Sequence, residues 1–353
     1  MEKVLMKGNE AIAEAAIQAG CRHFFGYPIT PQTEVAAYMA RRMPKVGGLY
    51  LQAESEIAAI NMVLGASAAG LRTMTSSSSP GIALKSEGLS YLAGCDLPAV
   101  VINIQRGGPG LGGIQPSQAD YFHATRSAGH GDFHIIALAP STVQEMASLT
   151  AQAFDLADRY RMTAMILGDG ILGQMMEPVT LDIAPSGDLP AKDWAVMGTE
   201  GGRKRNIVNS LYLQPEKLEE TNFKRYERYA QIEKTEARSE AFMLDDADIV
   251  VAAYGASARI AKNAILEARS RGIKAGLLRP ITLWPFPKAA FAQAAQKARA
   301  FVTVEMSMGQ MIEDVELAIR CRCPVTLCNR AGGMVPTPEN ILDAICKAAG
   351  GVQ

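Results

Sequence analysis

Aromatic residues and net charge are both scarce in this sequence. Its 353 residues include 10 Tyr, 10 Phe and 2 Trp, and 35 basic against 36 acidic side chains give a formal charge of −1. Nucleic-acid binding usually requires a basic surface together with aromatic rings that stack on bases. The composition therefore argues against nucleic acid as a partner.

Long apolar runs are also absent. No stretch reaches the roughly 18 apolar residues that a membrane-spanning helix needs. The first residues, MEKVLMKGNEAIAEA, change into a helical pattern before an apolar signal-peptide core could form. We therefore predict no membrane segment and a cytoplasmic location.

The cysteines do not follow the spacing of a disulfide scaffold or of a common metal site. Three of them form a C-x-C-x4-C pattern, which fits no common iron–sulfur cluster spacing. We interpret all six as reduced thiols of a cytoplasmic protein and expect no metal in this chain. They are Cys21, Cys95, Cys321, Cys323, Cys328 and Cys346.

The pattern of strands and helices predicts two α/β domains. Short apolar runs alternate with helical segments, which favours mostly parallel sheets covered by helices, and 353 residues suggest about two domains. We place the first domain at 1–180 and the second at 246–353, joined by a charged linker at 181–245. Within the first domain, residues 81–95 are predicted as one helix and TAMILGD as the last strand.

Four predicted strand ends in the first domain carry unusual residues. In open α/β sheets, ligands bind beyond the carboxyl ends of the strands, so these segments can converge on one cleft. The segments are GYPITP at 26–31, QAESE at 52–56, TSSSSPG at 75–81 and QRGGPGLGG at 105–113.

Two glycine motifs suggest cofactor sites without completing them. Gly108, Gly110 and Gly113 match G-x-G-x-x-G, but a dinucleotide site needs a helix directly after the glycines and an acidic residue at the end of the next strand. Neither is predicted, so we interpret the glycines as positions where the backbone can approach another ligand closely. GDG at 168–170 lacks the nearby asparagines of a magnesium-diphosphate motif, and we interpret it as a strand-end turn.

Glu54 and Glu56 stand at the start of an almost wholly apolar helical segment. A helix N-terminus favours a carboxylate anion, whereas an apolar, closed site favours the neutral acid. A group under both influences is suited to sharing a proton with a ligand nitrogen. From this stretch alone, N-terminal capping by either glutamate is an equal alternative.

Taken together, GYPITPQTE, QAESEIAAINMVLGASAAG, TMTSSSSPG and QRGGPGLGG resemble the α subunit of 2-oxoacid:ferredoxin oxidoreductases, and LLRPITLWPFP and VTVEMSMGQM agree in the second domain. The resemblance implies a thiamine diphosphate (ThDP) pyrimidine-binding domain followed by a transketolase C-terminal-like domain. The implied reaction is oxidative decarboxylation of a 2-oxoacid to acyl-CoA and CO2 with reduction of ferredoxin. The branched-chain type, acting on 3-methyl-2-oxobutanoate, is the nearest, and the 2-oxoglutarate type is the alternative.

The resemblance also implies roles for particular residues. Glu56, nine positions before Gly65, matches the glutamate that activates ThDP through its aminopyrimidine N1′. Thr30 matches a threonine near the substrate carbonyl or carboxylate, and Arg106 matches an arginine that holds the substrate carboxylate. Glu54 is a structural neighbour or a cap. The cofactor cleft is expected to be formed by Tyr27, Pro28, Ile29, Thr30, Glu56, Ser78, Ser79, Pro80, Gly107 and Gly108.

The same resemblance implies partners. ThDP is expected to be shared with a β subunit that supplies the diphosphate half of the site, with Mg2+ and [4Fe-4S] clusters in partner subunits and coenzyme A as co-substrate. Gamma and ferredoxin-like delta subunits and an external ferredoxin complete the set. Two other readings are a non-catalytic scaffolding subunit and a free-standing nucleotide-binding oxidoreductase. The retained Thr30, Glu56 and Arg106 argue against the first, and the context of the glycine loop argues against the second.

Overall fold

The computed structural model describes residues 3–126, 128–183, 188–199 and 202–350. These residues contain strands that we number in chain order. They are β1 (Val4–Lys7), β2 (His23–Gly26), β3 (Leu49–Gln52), β4 (Thr73–Ser77), β5 (Ala99–Gln105), β6 (Ile136–Leu138), β7 (Thr163–Asp169), β8 (Met176–Val179), β9 (Ser239–Phe242), β10 (Ile249–Ala253), β11 (Ala275–Pro280), β12 (Thr282–Trp284), β13 (Ala300–Glu305) and β14 (Val325–Asn329).

The helices alternate with the strands over most of the chain. They are α1 (Gly8–Gln18), α2 (Thr33–Arg42), α3 (Glu56–Ala68), α4 (Ser79–Leu84), α5 (Ser86–Gly94), α6 (Tyr121–Thr125), α7 (Val143–Tyr160), α8 (Gly170–Gln174), α9 (Pro215–Thr235), α10 (Gly255–Ser270), α11 (Lys288–Ala294), α12 (Met311–Ile319) and α13 (Pro338–Gly350). This confirms the predicted α/β class.

The larger sheet has seven strands in the order β12-β6-β7-β5-β4-β2-β3. All neighbouring pairs are parallel except β12 with β6. Strands β4, β5 and β7 are buried along their whole length, as expected for parallel strands covered on both faces. The strand β5 lies next to β4, and β2 lies between β4 and β3, so the four loops that follow these strands leave the same edge of the sheet.

The smaller sheet has five strands in the order β14-β13-β10-β11-β9, and only β9 is antiparallel. Helices α10 and α13 pack together and against its strands. The strand β9 lies inside the segment predicted as a linker, where α9 is the charged, mostly exposed helix expected there. The proposed domain limits themselves stay a prediction.

TAMILGD is not the last strand of the first domain, so that prediction was wrong. That stretch is β7, but β8 follows it and pairs with β1 in a separate two-stranded sheet. In addition, β12 reaches back from the second half of the chain to pair with β6. Arg279, next to this crossing, is 1% exposed and forms ion pairs with Glu145 and Glu240.

Candidate active site

The four segments singled out in the sequence meet at one edge of the larger sheet, because each follows one of the adjacent parallel strands β5, β4, β2 and β3. A cleft beyond the carboxyl ends of these strands is the expected ligand position in such a sheet. The convergence predicted from the sequence is therefore confirmed.

The two glutamates at the start of α3 lie in different environments. Glu54 is exposed, whereas Glu56 is 5% exposed. Neither caps the helix: Ser55 is the N-cap residue, and its Oγ accepts a hydrogen bond from the Ala58 N–H at 3.1 Å. Of the two roles expected for Glu54, structural neighbour or cap, capping is excluded, since the Ser55 hydroxyl satisfies the free N–H group directly.

The Glu56 carboxylate is seated against the first turn of α4. A Cβ atom placed on Gly81 would lie 2.5 Å from Glu56 Oε1 and 2.1 Å from Ser77 Oγ. Only glycine therefore leaves room for the carboxylate at this point. No ion pair or hydrogen bond of the carboxylate is present within the described ranges, so its charge is uncompensated by this chain except through the nearby Lys85.

Lys85 is a site residue that the sequence did not indicate. Residues 81–95, predicted as one helix, form α4 and α5 with Lys85 at the break between them. The side chain is 0% exposed, and its Nζ donates a hydrogen bond to the Glu56 main-chain oxygen at 3.3 Å. Burial lowers the pKa of Lys85 to about 8, and attraction to Glu56 opposes that change. A lysine within an amphipathic pattern is normally interpreted as exposed, which explains why it was missed.

Arg106 is buried at the end of β5 and is held by two main-chain carbonyl groups. Its Nη1 donates to Thr30 O and its Nη2 to Leu111 O, each at 3.0 Å. Arg106 is 7% exposed, and its Nε has no partner among the described residues. A buried guanidinium with unused donors and no carboxylate partner is suited to binding an anionic ligand.

The loop from Tyr27 to Pro31 is fixed at the same edge. Gln32, fully buried, donates to Tyr27 O at 3.2 Å and accepts from Ser76 Oγ at 2.6 Å. Tyr27 and Ile29 are half-buried, while Pro28 and Thr30 are exposed. The Thr30 main chain is thus tied to Arg106, and its side chain faces solvent.

A second polar network orders the start of α4. Ser79 Oγ donates to Asp120 Oδ2 at 2.7 Å, and Asn103 Nδ2 donates to the same oxygen at 2.9 Å. The Arg106 N–H donates to Ser79 Oγ at 3.0 Å. Asp120 was not a sequence candidate, because it lies outside the four motifs. Its network connects Ser79 to the end of β5 that carries Arg106.

The serine-rich segment supplies polar atoms that this chain leaves unpaired. Ser77 and Ser78 are fully buried, and no hydrogen-bond partner for either Oγ is found in the described part of the chain. Buried hydroxyl groups are normally paired. Pro80, in the first turn of α4, is half-buried. An uncompensated carboxylate beside orphaned hydroxyls fits the polar pyrimidine half of a ThDP molecule.

The glycine-rich loop packs on the second domain. The Gly107 N–H donates to Gln115 O at 2.9 Å, and a Cβ atom on Gly107 would lie 3.3 Å from both Gly332 C and Gly333 N. Gly108 is exposed, with open space around it. Of the two predicted cofactor contacts, Gly107 has a packing reason to be glycine, whereas Gly108 leaves the backbone accessible. No helix follows Gly113 directly, as expected for a loop that is not a dinucleotide fingerprint.

The GDG motif at 168–170 and the cysteine pattern do not contribute to the site around Glu56 and Arg106. Asp169 of the GDG turn ends β7 and caps α8 by accepting from the Ile171 and Leu172 N–H groups, and it also accepts from the Ala256 N–H at the start of α10. Burial raises the pKa of Asp169 against these bonds. The six cysteines are free thiols, and no group of metal-ligating side chains is found among the described residues.

In the described ranges, no helix is long and apolar enough to cross a membrane.

Two protein-family models match this chain, one in each half. The model for "Pyruvate flavodoxin/ferredoxin oxidoreductase, thiamine diP-bdg" matches residues 14–236, and that for "Pyruvate:ferredoxin oxidoreductase core domain II" matches residues 247–341. A thiamine diphosphate-binding family therefore accounts for the domain that carries Glu56.

Curated relatives extend the match over nearly the whole chain. Ketoisovalerate oxidoreductase subunit VorB of Methanothermobacter marburgensis is 49% identical over 350 residues, with 99% of each chain covered. 2-Oxoglutarate synthase subunit KorA of Methanothermobacter thermautotrophicus is 37% identical over 381 residues, with 98% of this chain and 99% of the relative covered.

Solved structures agree with the fold. The 2-oxoglutarate:ferredoxin oxidoreductase from Magnetococcus marinus, with 2-oxoglutarate, coenzyme A and succinyl-CoA bound, superposes with a TM-score of 0.86 at 29% identity. The match covers 100% of this chain and 66% of that one. A split-gene transketolase, with a TM-score of 0.61 and 12% identity over 98% of both chains, shares the fold. The family matches and the relatives show that this chain belongs to the 2-oxoacid:ferredoxin oxidoreductases, as an oxidoreductase subunit.

Proposed function

We propose that this chain is the α subunit that acts on a branched-chain 2-oxoacid, 3-methyl-2-oxobutanoate, within an assembled complex. The observation that carries its catalytic part is a buried acid and a buried guanidinium at one sheet edge, and the 49% identity to a ketoisovalerate oxidoreductase subunit supports the substrate class. Glu56 and Arg106 are 5% and 7% exposed, and neither forms an ion pair within the described ranges. Buried charges without partners are costly, so this site favours a ligand that forms hydrogen bonds or an ion pair with both groups.

Glu56 is proposed to share a proton with the aminopyrimidine N1′ of ThDP. Bound ThDP supplies the reactive carbon and the electron sink for decarboxylation. As the neutral carboxylic acid, Glu56 would place its proton on the ring nitrogen N1′, and this would allow the neighbouring 4′-nitrogen to release a proton and then accept the one from C2. The unpaired hydroxyls of Ser77 and Ser78 and the close approach at Gly81 support this placement.

Arg106 is proposed to hold the substrate carboxylate, with Thr30 beside it. Two of the five guanidinium N–H donors are used by main-chain oxygens, so donors remain for an anion. The exposed hydroxyl of Thr30 can donate to the substrate carbonyl or carboxylate. Tyr27, Pro28, Ile29, Ser78, Ser79, Pro80, Gly107 and Gly108 stay predicted walls of the cofactor cleft.

The remaining chemistry is assigned to partners. A β subunit is proposed to supply the diphosphate half of the site and Mg2+, and partner subunits, among them gamma and a ferredoxin-like delta, to hold [4Fe-4S] clusters and pass electrons to external ferredoxin. Coenzyme A accepts the acyl group. Six free thiols support a reducing, cytoplasmic location.

Turnover of the assembled complex on a panel of 2-oxoacids, with a viologen acceptor and coenzyme A, tests the proposal. We expect kcat/KM to be highest for 3-methyl-2-oxobutanoate, the substrate class named for the 49% identical relative. A preference for 2-oxoglutarate, named for the 37% identical relative, would overturn the substrate assignment. Unchanged turnover in an Arg106→Lys, Glu56→Gln double variant would favour a scaffolding role.

A further inference from the structure

Lys85 contributes a buried positive charge that the reaction scheme above does not use. Its side chain is 0% exposed and stands at the break between α4 and α5. A lysine is almost never fully buried unless it is paired, because removing an ammonium ion from water is costly. In the described part of the chain its only hydrogen-bond acceptor is the Glu56 main-chain oxygen, at 3.3 Å.

The Lys85 ammonium lies against the main chain at the start of α3. The Lys85 Nζ binds the carbonyl oxygen of Glu56, and the Glu56 carboxylate lies against Gly81, four residues before Lys85 on the same helix–turn segment. Glu56 is therefore held at two points. Its main-chain oxygen binds the Lys85 ammonium, and its carboxylate packs against the first turn of α4. The two charges attract without forming a direct ion pair.

Other charged or titratable groups around Lys85 are few. Glu56, on α3, is the group whose charge acts on Lys85. His123, on α6, has its Nε2 3.2 Å from the Oγ of Ser86, the next residue in the chain, and burial lowers its pKa. Glu87, on α5, is exposed. Glu56 is therefore the group that acts electrostatically on the Lys85 ammonium.

We propose that Lys85 is a positioning residue for Glu56: it fixes the first turn of α3 and supplies the positive charge that favours the carboxylate once Glu56 has given its proton to the cofactor. This deepens the proposed function and rests on the role of Glu56 in it. A cation close to a carboxylate stabilises the charged form, and closure by a partner subunit would strengthen the attraction by excluding water.

The sign of the pH dependence follows from the lysine. Burial lowers the pKa of Lys85 to about 8, so its positive charge is present below that pH and is lost as the pH rises through it. Support for Glu56 is therefore largest below pH 8. A variant without the ammonium should be slower below pH 8 and should lack this pH-dependent decline.

The first test measures the titration of Lys85 in the absence of cofactor. The full chain is labelled with [ε-13C]lysine, the Lys85 signal is assigned by its loss in Lys85→Met, and its titration is followed by NMR. We expect a midpoint near pH 8, a lower midpoint in Glu56→Gln, and no change in Glu54→Gln, the exposed matched control. An unchanged midpoint in Glu56→Gln would overturn the coupling.

The second test measures proton exchange of the cofactor in the assembled complex. Exchange of the ThDP C2 proton is followed by NMR between pH 6.5 and 9.5, with ThDP affinity measured in parallel. We expect Lys85→Met to slow exchange about tenfold below pH 8, the equivalent of one pKa unit, while ThDP still binds. Native exchange and a native pH profile in Lys85→Met would overturn the inference, whereas normal exchange in Glu56→Gln would instead overturn the proposed function.

Discussion

Replacing Arg106 with lysine separates substrate binding from cofactor binding. The guanidinium is positioned by the Thr30 and Leu111 carbonyl oxygens, each 3.0 Å away, and its Nε is buried without a partner among the described residues. A lysine ammonium keeps the charge but has no planar fork, so it cannot keep both main-chain bonds and hold a carboxylate through two parallel bonds.

The expected magnitude follows from the bonds at stake. One hydrogen bond to a charged group contributes about 1.5–3 kcal/mol, and each 1.4 kcal/mol is about tenfold in affinity. Arg106→Lys should therefore raise the KM for the 2-oxoacid roughly 10- to 150-fold and leave the ThDP dissociation constant nearly unchanged.

The assay combines steady-state kinetics of the assembled complex with a ThDP titration of the same preparation. Arg126→Lys is the matched control, because Arg126 is exposed and pairs with Glu313 and Asp314 away from the sheet edge. Equal loss of substrate and ThDP affinity, or loss of neither, would refute the carboxylate-binding role of Arg106.

Three further predictions follow from the structure. Gly81→Ala should displace the Glu56 carboxylate, since the new Cβ would lie 2.5 Å from its Oε1; ThDP C2-proton exchange should fall, and native exchange would show that the contact is unimportant. Arg279→Met should lower the free energy of unfolding by about 3 kcal/mol, because it strips a buried cation from Glu145 and Glu240; a thermal melt equal to that of the native chain would contradict this. The chain purified without partners should show neither iron nor 2-oxoacid turnover, and stoichiometric iron in the metal analysis would mean that it holds a cluster itself.

The sequence predicted the regular part of the fold because hydrophobic periodicity is local. The TAMILGD segment, for example, forms the strand β7 that its apolar pattern predicted. The short strands β9 and β12 could not be found this way, since each owes its existence to pairing with a distant strand, β11 and β6 respectively. The loop convergence was predictable because it follows from parallel order alone.

The site residues that could be predicted from the sequence are those that lie in a recognisable motif. Glu56, Thr30 and Arg106 came from the family resemblance, and the structure adds the burial that distinguishes Glu56 from Glu54. Lys85 and Asp120 were missed, because their significance lies in contacts with residues far away in the chain. A buried charge cannot be recognised from a pattern in which charged residues normally mark the solvent side.

The central claim is that Glu56, and not Glu54, activates the cofactor. The most direct measurement is C2-proton exchange of bound ThDP, by NMR, in assembled complexes that carry Glu56→Gln or Glu54→Gln. Glutamine keeps the size of the buried side chain but cannot donate a carboxyl proton, and general acid–base steps contribute roughly 10²–10⁴-fold. We predict that Glu56→Gln slows exchange by at least about 10²-fold while Glu54→Gln stays close to the native rate. Normal exchange in Glu56→Gln, or loss of exchange only in Glu54→Gln, would contradict the account.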